Sequence, residues 1–206
     1  MAQLELVRPA PARELVARAD HQAIALLVHE RAKVLDLGSG DGALILLLAE
    51  ERCAIARGIE IDQAKAYACV RRGLSVVQGD CEADLEEIPS GAFDYVVFSR
   101  TLENLRRPHA ALKQAARIGE RVIVSIENAG HWRSRLRLLT QGRFARAHQD
   151  IAHVFTVRDF AEQARAMRLT IERAAPLSRG HAGAPFAKSL WRANWLAEEA
   201  VFLLAP

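Results

Sequence analysis

Cysteine is scarce: the chain of 206 residues has three, Cys53, Cys69 and Cys81. An odd number without close pairs excludes a disulfide framework and the spacing of a structural zinc site. A reducing cytoplasm is the expected setting. Long apolar runs are lacking too. The longest, around Ala43 to Ala49, falls far short of the roughly 20 residues that cross a bilayer, and the opening Met1-Ala2-Gln3-Leu4-Glu5 has no basic n-region followed by an apolar h-region. Neither export nor a membrane role is expected. Charge of one sign is in small surplus, +3 with a pI near 9.0, which aids encounter with anions but stays below the signature of a nucleic-acid binder. His148 and His153 fall in no HxxxH or HExxH pattern, so no metal is expected. There is no internal repeat and no low-complexity segment.

What the chain does have is the composition of a folded domain, 50% hydrophobic and 26% charged. Its length suits one domain over 1–206, with an N-terminal helix region (1–30) and a core (31–206). Leu15, Ala19, Ala23, Leu26 and Leu27 recur at helical spacing over 12–30. Beyond them strands and helices alternate: a strand at Lys33–Gly38, a helix at Ala43–Glu51, a strand at Ile55–Ile61, a helix at Gln63–Arg72 and a strand at Ser75–Gln78. Phe93–Phe98 is apolar enough for a strand buried on both faces, and a helix begun by Pro108 leads on to a further strand at Arg121–Ile126. A helix capped by Thr156 over 156–167, a strand at Leu169–Ala174, a loop at Gly180–Ala187 and a last strand at Ala200–Leu204 complete the pattern. Repeated βα units predict an α/β fold with a parallel sheet covered by helices.

Gly38-Ser39-Gly40-Asp41-Gly42 follows the first strand. Glycines there let the chain bend sharply and let a ligand approach without meeting a Cβ, and helix N-terminal amides are expected to face that ligand. The spacing is G-x-G-x-G, whereas the dinucleotide fingerprint is G-x-G-x-x-G. Asp36 sits just before the turn and Asp41 within it, and the two would repel a pyrophosphate. S-adenosylmethionine carries an ammonium, a sulfonium and a carboxylate, and the local charge favours it over NAD. Glu60 ends the second strand about twenty residues on, where a carboxylate accepts ribose hydroxyls. Asp80 follows the third strand, placed to accept from an adenine amine.

These runs, with Phe93-Asp94-Tyr95-Val96, resemble the class I methyltransferases. Ser99-Arg100-Thr101-Leu102-Glu103-Asn104, Asn128-Ala129-Gly130-His131-Trp132-Arg133 and Asn194 to Ala200 narrow the resemblance to the MetW family, from about Val34 to the C-terminus. The resemblance implies a Rossmann-like fold with a mostly parallel seven-stranded sheet, helices on both faces and an antiparallel last strand. It implies that S-adenosylmethionine is held by Asp36, Gly38, Ser39, Gly40, Asp41, Gly42, Glu60, Ile61, Asp80, Cys81 and Ser99. It also implies a role in methionine biosynthesis beside a homoserine O-acyltransferase partner. The alternative is methyl transfer to a small-molecule acceptor, a reaction for which positioning alone can suffice. A hydride-transferring NAD enzyme is the third and least supported reading.

Fainter signals have structural readings. His131 is a candidate general base, weighed against a histidine that only starts a helix. Arg133, Arg135, Arg137, Arg143 and Arg146 are read as the solvated face of a helix whose Trp132, Leu136 and Leu139 dock near the site mouth, rather than as an RNA-binding surface. Trp191 and Trp195, four apart, are expected to pack a helix onto the core.

Overall fold

The computed structural model describes residues 18–143, 153–178, 181–183 and 190–206. Residues 12–17 of the expected first helix, Arg146, His148 and most of the Gly180–Ala187 loop lie outside them. Each apolar run foreseen as a strand is one: β1 (Lys33–Leu37), β2 (Ile55–Glu60), β3 (Val76–Gln78), β4 (Phe93–Ser99), β5 (Gly119–Glu127), β6 (Thr170–Ser178) and β8 (Glu199–Ala205). The two-residue β7 (His181–Ala182) was not foreseen and falls in the expected loop. The helices are α1 (Ala19–Leu27), α2 (Ala43–Arg52), α3 (Gln63–Arg71), α4 (Cys81–Asp84), α5 (Pro108–Ile118), α6 (Trp132–Gln141), α7 (Val157–Ala166) and α8 (Leu190–Leu196). Asp62 and Thr156 cap α3 and α7 by accepting from backbone amides of the first turn.

The strand order is β3-β2-β1-β4-β5-β8-β6-β7. From β3 to β5 all neighbours are parallel, and β8 runs antiparallel between β5 and β6. This is the expected seven-stranded, mostly parallel sheet with an antiparallel last strand, extended at one edge by β7. The chain leaves β1 for one side of the sheet and returns to β4 on the other. The order therefore reverses beside the carboxyl end of β1, where open α/β sheets bind ligands.

The period of two along each strand decides which helix meets which side chain. Leu35, Leu37, Val96, Phe98, Val122, Val124 and Phe202 face one way, into a core with Phe160 of α7 and Leu112 of α5. Val34, Tyr95, Val97, Ile123, Val201 and Leu203 face the other way, against α1 and α2. Continuing the second alternation to the carboxyl edge brings up Asp36, Ser99 and Ser125, all buried. A polar edge needs polar partners. Accordingly α1 buries Asp20, His21, Ala23, Ile24 and Ala25, and Leu26, expected on its apolar face, is 68% exposed.

Beyond the sheet edge, Asn128 binds three elements together. Its Nδ2 donates to the carbonyls of Ala193 (3.4 Å), Asn194 (3.0 Å) and Ala197 (2.7 Å), and its Oδ1 accepts from the amides of Gly130 (3.0 Å) and Val157 (3.2 Å). A Cβ on Gly130 would lie 2.7 Å from Asn194 Oδ1. The Asn128-Ala129-Gly130 and Asn194 motifs thus have a structural role.

Two packing expectations are corrected. Helix α6 buries none of its residues, and Trp132, Leu136 and Leu139 are exposed because the helix projects from the end of β5 without extended packing on any described element. In α8 the residues turned inward are Ala193 and Asn194. Trp191 and Trp195 lie outside, their rings 6.3 Å apart, with the Arg135 guanidinium 4.7 Å from the Trp195 ring centre.

The Asn128 network yields a prediction. Asn128→Ala would strand several buried backbone groups and should destabilise the fold by about 3–5 kcal/mol. Urea unfolding at a common slope measures this, and an unchanged midpoint would contradict the role assigned to Asn128.

Candidate functional site

The turn after β1 needs its glycines. Gly38, Gly40 and Gly42 have φ of 76°, 58° and 81°, the left-handed region that a Cβ disfavours. A Cβ on Gly42 would run into Leu74 and Cys69, so this glycine serves packing between α2 and α3. Nothing lies within 4 Å of a Cβ built on Gly40.

Most of the turn's amides are already engaged within the chain. Those of Gly38 and Ser39 donate to Ile59 O at 2.8 and 3.2 Å, that of Gly42 to Ser39 O at 2.9 Å and that of Ala43 to Asp41 Oδ1 at 3.1 Å. The Gly40 amide donates to Glu60 Oε2 at 2.7 Å, while Glu60 Oε1 accepts from the Asp62 amide at 2.9 Å. Two carboxylates thus hold the turn in place. The turn from β1 into α2 thus finds partners for its amides largely on the neighbouring strand β2, which spacing alone does not reveal.

Beside the turn is a cavity of about 330 Å³ lined by Arg18, His21, Asp36, Gly38, Ser39, Gly40, Asp41, Leu44, Lys65 and Ser99. Six of the expected cofactor residues, Asp36, Gly38, Ser39, Gly40, Asp41 and Ser99, therefore meet there. The others do not line it. Glu60 sits behind Gly40, Ile61 is 68% exposed, and Asp80 is exposed and caps α4 by accepting from the Glu82 amide. Cys81 is buried among apolar side chains, and that burial pushes its thiol up to about 12. His131 starts α6, tilted against Trp132 and outside the cavity lining. Desolvation lowers its pKa, and the nearby Glu198 opposes the shift.

Sequence reasoning missed the contribution of α1. Asp20, fully buried, accepts from Arg18 Nε and Nη2 (both 2.9 Å), Ser99 Oγ (3.0 Å) and Ser125 Oγ (2.8 Å). Arg18 Nη2 also donates to Ser99 at 2.6 Å. Burial alone would raise the Asp20 pKa, but the Arg18 guanidinium outweighs it and holds the carboxyl down to about 2. Burial lowers His21 to about 4 and raises Asp36 to about 7. The missed signal was the alternation in β4 and β5, which puts Ser99 and Ser125 on the face of Asp36 and calls for a polar helix above them.

Compared with known proteins, residues 18–204 match the family described as methionine biosynthesis protein MetW. The chain belongs to the MetW family. A relative from Rhodopirellula baltica, named bifunctional methionine biosynthesis protein MetXA/MetW, is 26% identical over 147 residues, which is 68% of this chain and 24% of that protein. This MetW-family chain thus spans about a quarter of that relative's length. Among solved structures, an S-adenosylmethionine-dependent methyltransferase from Thermotoga maritima, described as a possible histamine N-methyltransferase, superposes with a TM-score of 0.70 at 17% identity, covering 91% of this chain and 87% of that one. One from Archaeoglobus fulgidus gives 0.66 at 14% identity, covering 91% and 92%. The MetW-family chain has the Rossmann-like class I methyltransferase fold.

Asp36 gives a pH prediction. Its folded pKa near 7 lies above the unfolded value of about 3.9. Between the two the folded state holds a proton that the unfolded state has released, so the Asp36 contribution falls as pH rises from about 4 to 7. Asn cannot ionise. Asp36→Asn should therefore gain on the parent chain with rising pH, by on the order of 2–4 kcal/mol at pH 8. Melting temperatures at pH 5 and pH 8 test it, and a pH-independent difference would refute it.

Proposed function

We propose that the chain binds S-adenosylmethionine and acts in methionine biosynthesis with a homoserine O-acyltransferase, in a reducing cytoplasm. The observation that carries the cofactor reading is the state of the glycine turn: the amides of Gly38, Ser39, Gly40, Gly42 and Ala43 already donate to carbonyls and to the carboxylates of Glu60 and Asp41, while the buried carboxyl group of Asp36 has an oxygen without a partner among the described residues. Such a site repels a pyrophosphate and suits a cation. A cavity of about 330 Å³ also falls in the range of small-molecule sites. Asp36, Gly38 and Gly40 would hold the cofactor at the turn, and Glu60 would accept from the ribose with the lone pairs left by its two backbone bonds. When bound, S-adenosylmethionine supplies an activated methyl group.

The partner reading is supported by the family match and by the relative's name, which joins MetXA and MetW in one polypeptide. Activities joined in one chain in one organism suit separate chains that work together in another. Trp132, half-exposed on α6, a helix with no buried residue, would be an anchor in such a contact. A second reading is favoured by the structural neighbours, which are S-adenosylmethionine-dependent methyltransferases: methyl transfer to a small acceptor. The two share the cofactor and differ in the partner.

Calorimetric titration should show S-adenosylmethionine binding and NAD not. Tighter NAD binding would defeat the cofactor reading. The acyltransferase of the same organism should co-purify with the chain and change its rate, and Trp132→Ala should weaken the association by about tenfold or more. No association, together with turnover of a small acceptor, would select the second reading.

A further inference from the structure

A second cavity, of about 430 Å³, lies between the end of α7, the first half of β6 and the start of α8. It shares no residue with the cavity at the glycine turn. Thr170 on its lining pairs with Ala205, and the adjoining Leu204 pairs with Val122 near the start of β5. The cavity therefore sits at the amino edge of the parallel strands, opposite the edge where the glycine turn leaves β1.

Arg165, Arg168 and Arg173 line it, all three exposed. Elsewhere arginines are engaged: Arg18, Arg100, Arg121 and Arg158 pair with carboxylates, and Arg52, Arg72 and Arg117 donate to carbonyls. Among the described residues no carboxylate pairs with Arg165, Arg168 or Arg173. Glu172 stands on the same lining, but its Oε2 accepts from Arg121 Nε at 2.8 Å. The carbonyl end of α7 attracts cations and accounts for Arg165 and Arg168, whereas Arg173 lies on β6 and gains nothing from it. Arg168 also has φ of 63°, the left-handed position after a helix where glycine or asparagine is usual. Three cations around one cavity repel one another, and an anion with several charges relieves that repulsion.

The floor of the cavity is apolar. Leu169 and Ala174 are buried there, and Ile171 and Leu190 are half-buried. Guanidinium forks match phosphate oxygens two at a time, so three forks suit a chain of phosphates better than a single carboxylate, and the floor suits a flat apolar body. The volume falls in the range of small-molecule sites. We propose that this cavity binds a nucleoside di- or triphosphate, with its base on Leu169, Ile171 and Leu190 and its phosphates on Arg165, Arg168 and Arg173. The chain then carries two ligand sites at opposite edges of one sheet, and the nucleotide site does not depend on the cofactor reading of the other.

Calorimetric titration of the whole chain, free of magnesium and at about 0.15 M salt, tests this with ATP, ADP, AMP and inorganic tripolyphosphate. ATP and ADP should bind, with AMP and tripolyphosphate weaker than ATP by about tenfold or more. Arg168→Gln and Arg173→Gln should each weaken ATP by about fivefold or more, whereas Arg137→Gln, an exposed change on α6, should leave it within about twofold. Melting temperatures check that the variants keep the fold, and Arg165→Gln replaces either one that does not. Saturating S-adenosylmethionine should leave ATP binding unchanged. No ATP binding, tripolyphosphate binding as tight as ATP, an equal loss in Arg137→Gln, no loss in the cavity variants, or displacement of ATP by S-adenosylmethionine would each overturn the proposal. Failure of S-adenosylmethionine itself to bind would remove the cofactor reading and leave this site standing on its arginine variants.

Discussion

The Asp20 carboxylate is the contact on which the site depends. It is fully buried and accepts from Arg18, Ser99 and Ser125, so one charge joins α1 to the carboxyl ends of β4 and β5. A buried charge is tolerated only when paired and fully hydrogen-bonded. Here the pairing also settles how α1 sits. Turning the helix to bury Leu26 would carry Asp20 away from Ser99 and Ser125. Holding α1 in this rotation keeps His21 and Arg18 on the cavity that Asp36 and the glycine turn also line.

A second constraint lies in the turn. Glu60 at the end of β2 takes the Gly40 amide and the Asp62 amide, one on each oxygen. The acid expected to face a ribose therefore also fixes the loop that a ligand would touch. Structure and binding are coupled at this residue, so substitution of Glu60 acts on both. Asn128 plays the corresponding part on the far side of β5, where its five bonds hold α7 and α8 to the sheet.

Most of the fold was legible because strands buried on both faces read as apolar runs and the helices between them carry caps and periodic apolar faces. The glycine turn was legible for the same local reason, since three glycines in five residues mark a left-handed path whatever the tertiary context. What could not be read was contact between distant segments. Asp20 and Ser125 are 105 residues apart, and in a single sequence nothing links them except that each is a polar residue on an otherwise apolar face. The destinations of the loop amides were hidden too, because satisfaction by Ile59 O and Glu60 depends on strand register. Spacing misled for α6 and α8. Trp132, Leu136 and Leu139, like Trp191 and Trp195, have helical spacing, but spacing shows that side chains share a face and not that anything packs against it.

The account's central claim is that α1 belongs to the ligand site and is held there by buried polar contacts. Hydrogen exchange read by mass spectrometry, with and without S-adenosylmethionine, tests it most directly. The account predicts that the ligand slows exchange in the peptides covering α1 as well as in those covering the Gly38–Gly42 turn. Protection of the turn with α1 unchanged would contradict it.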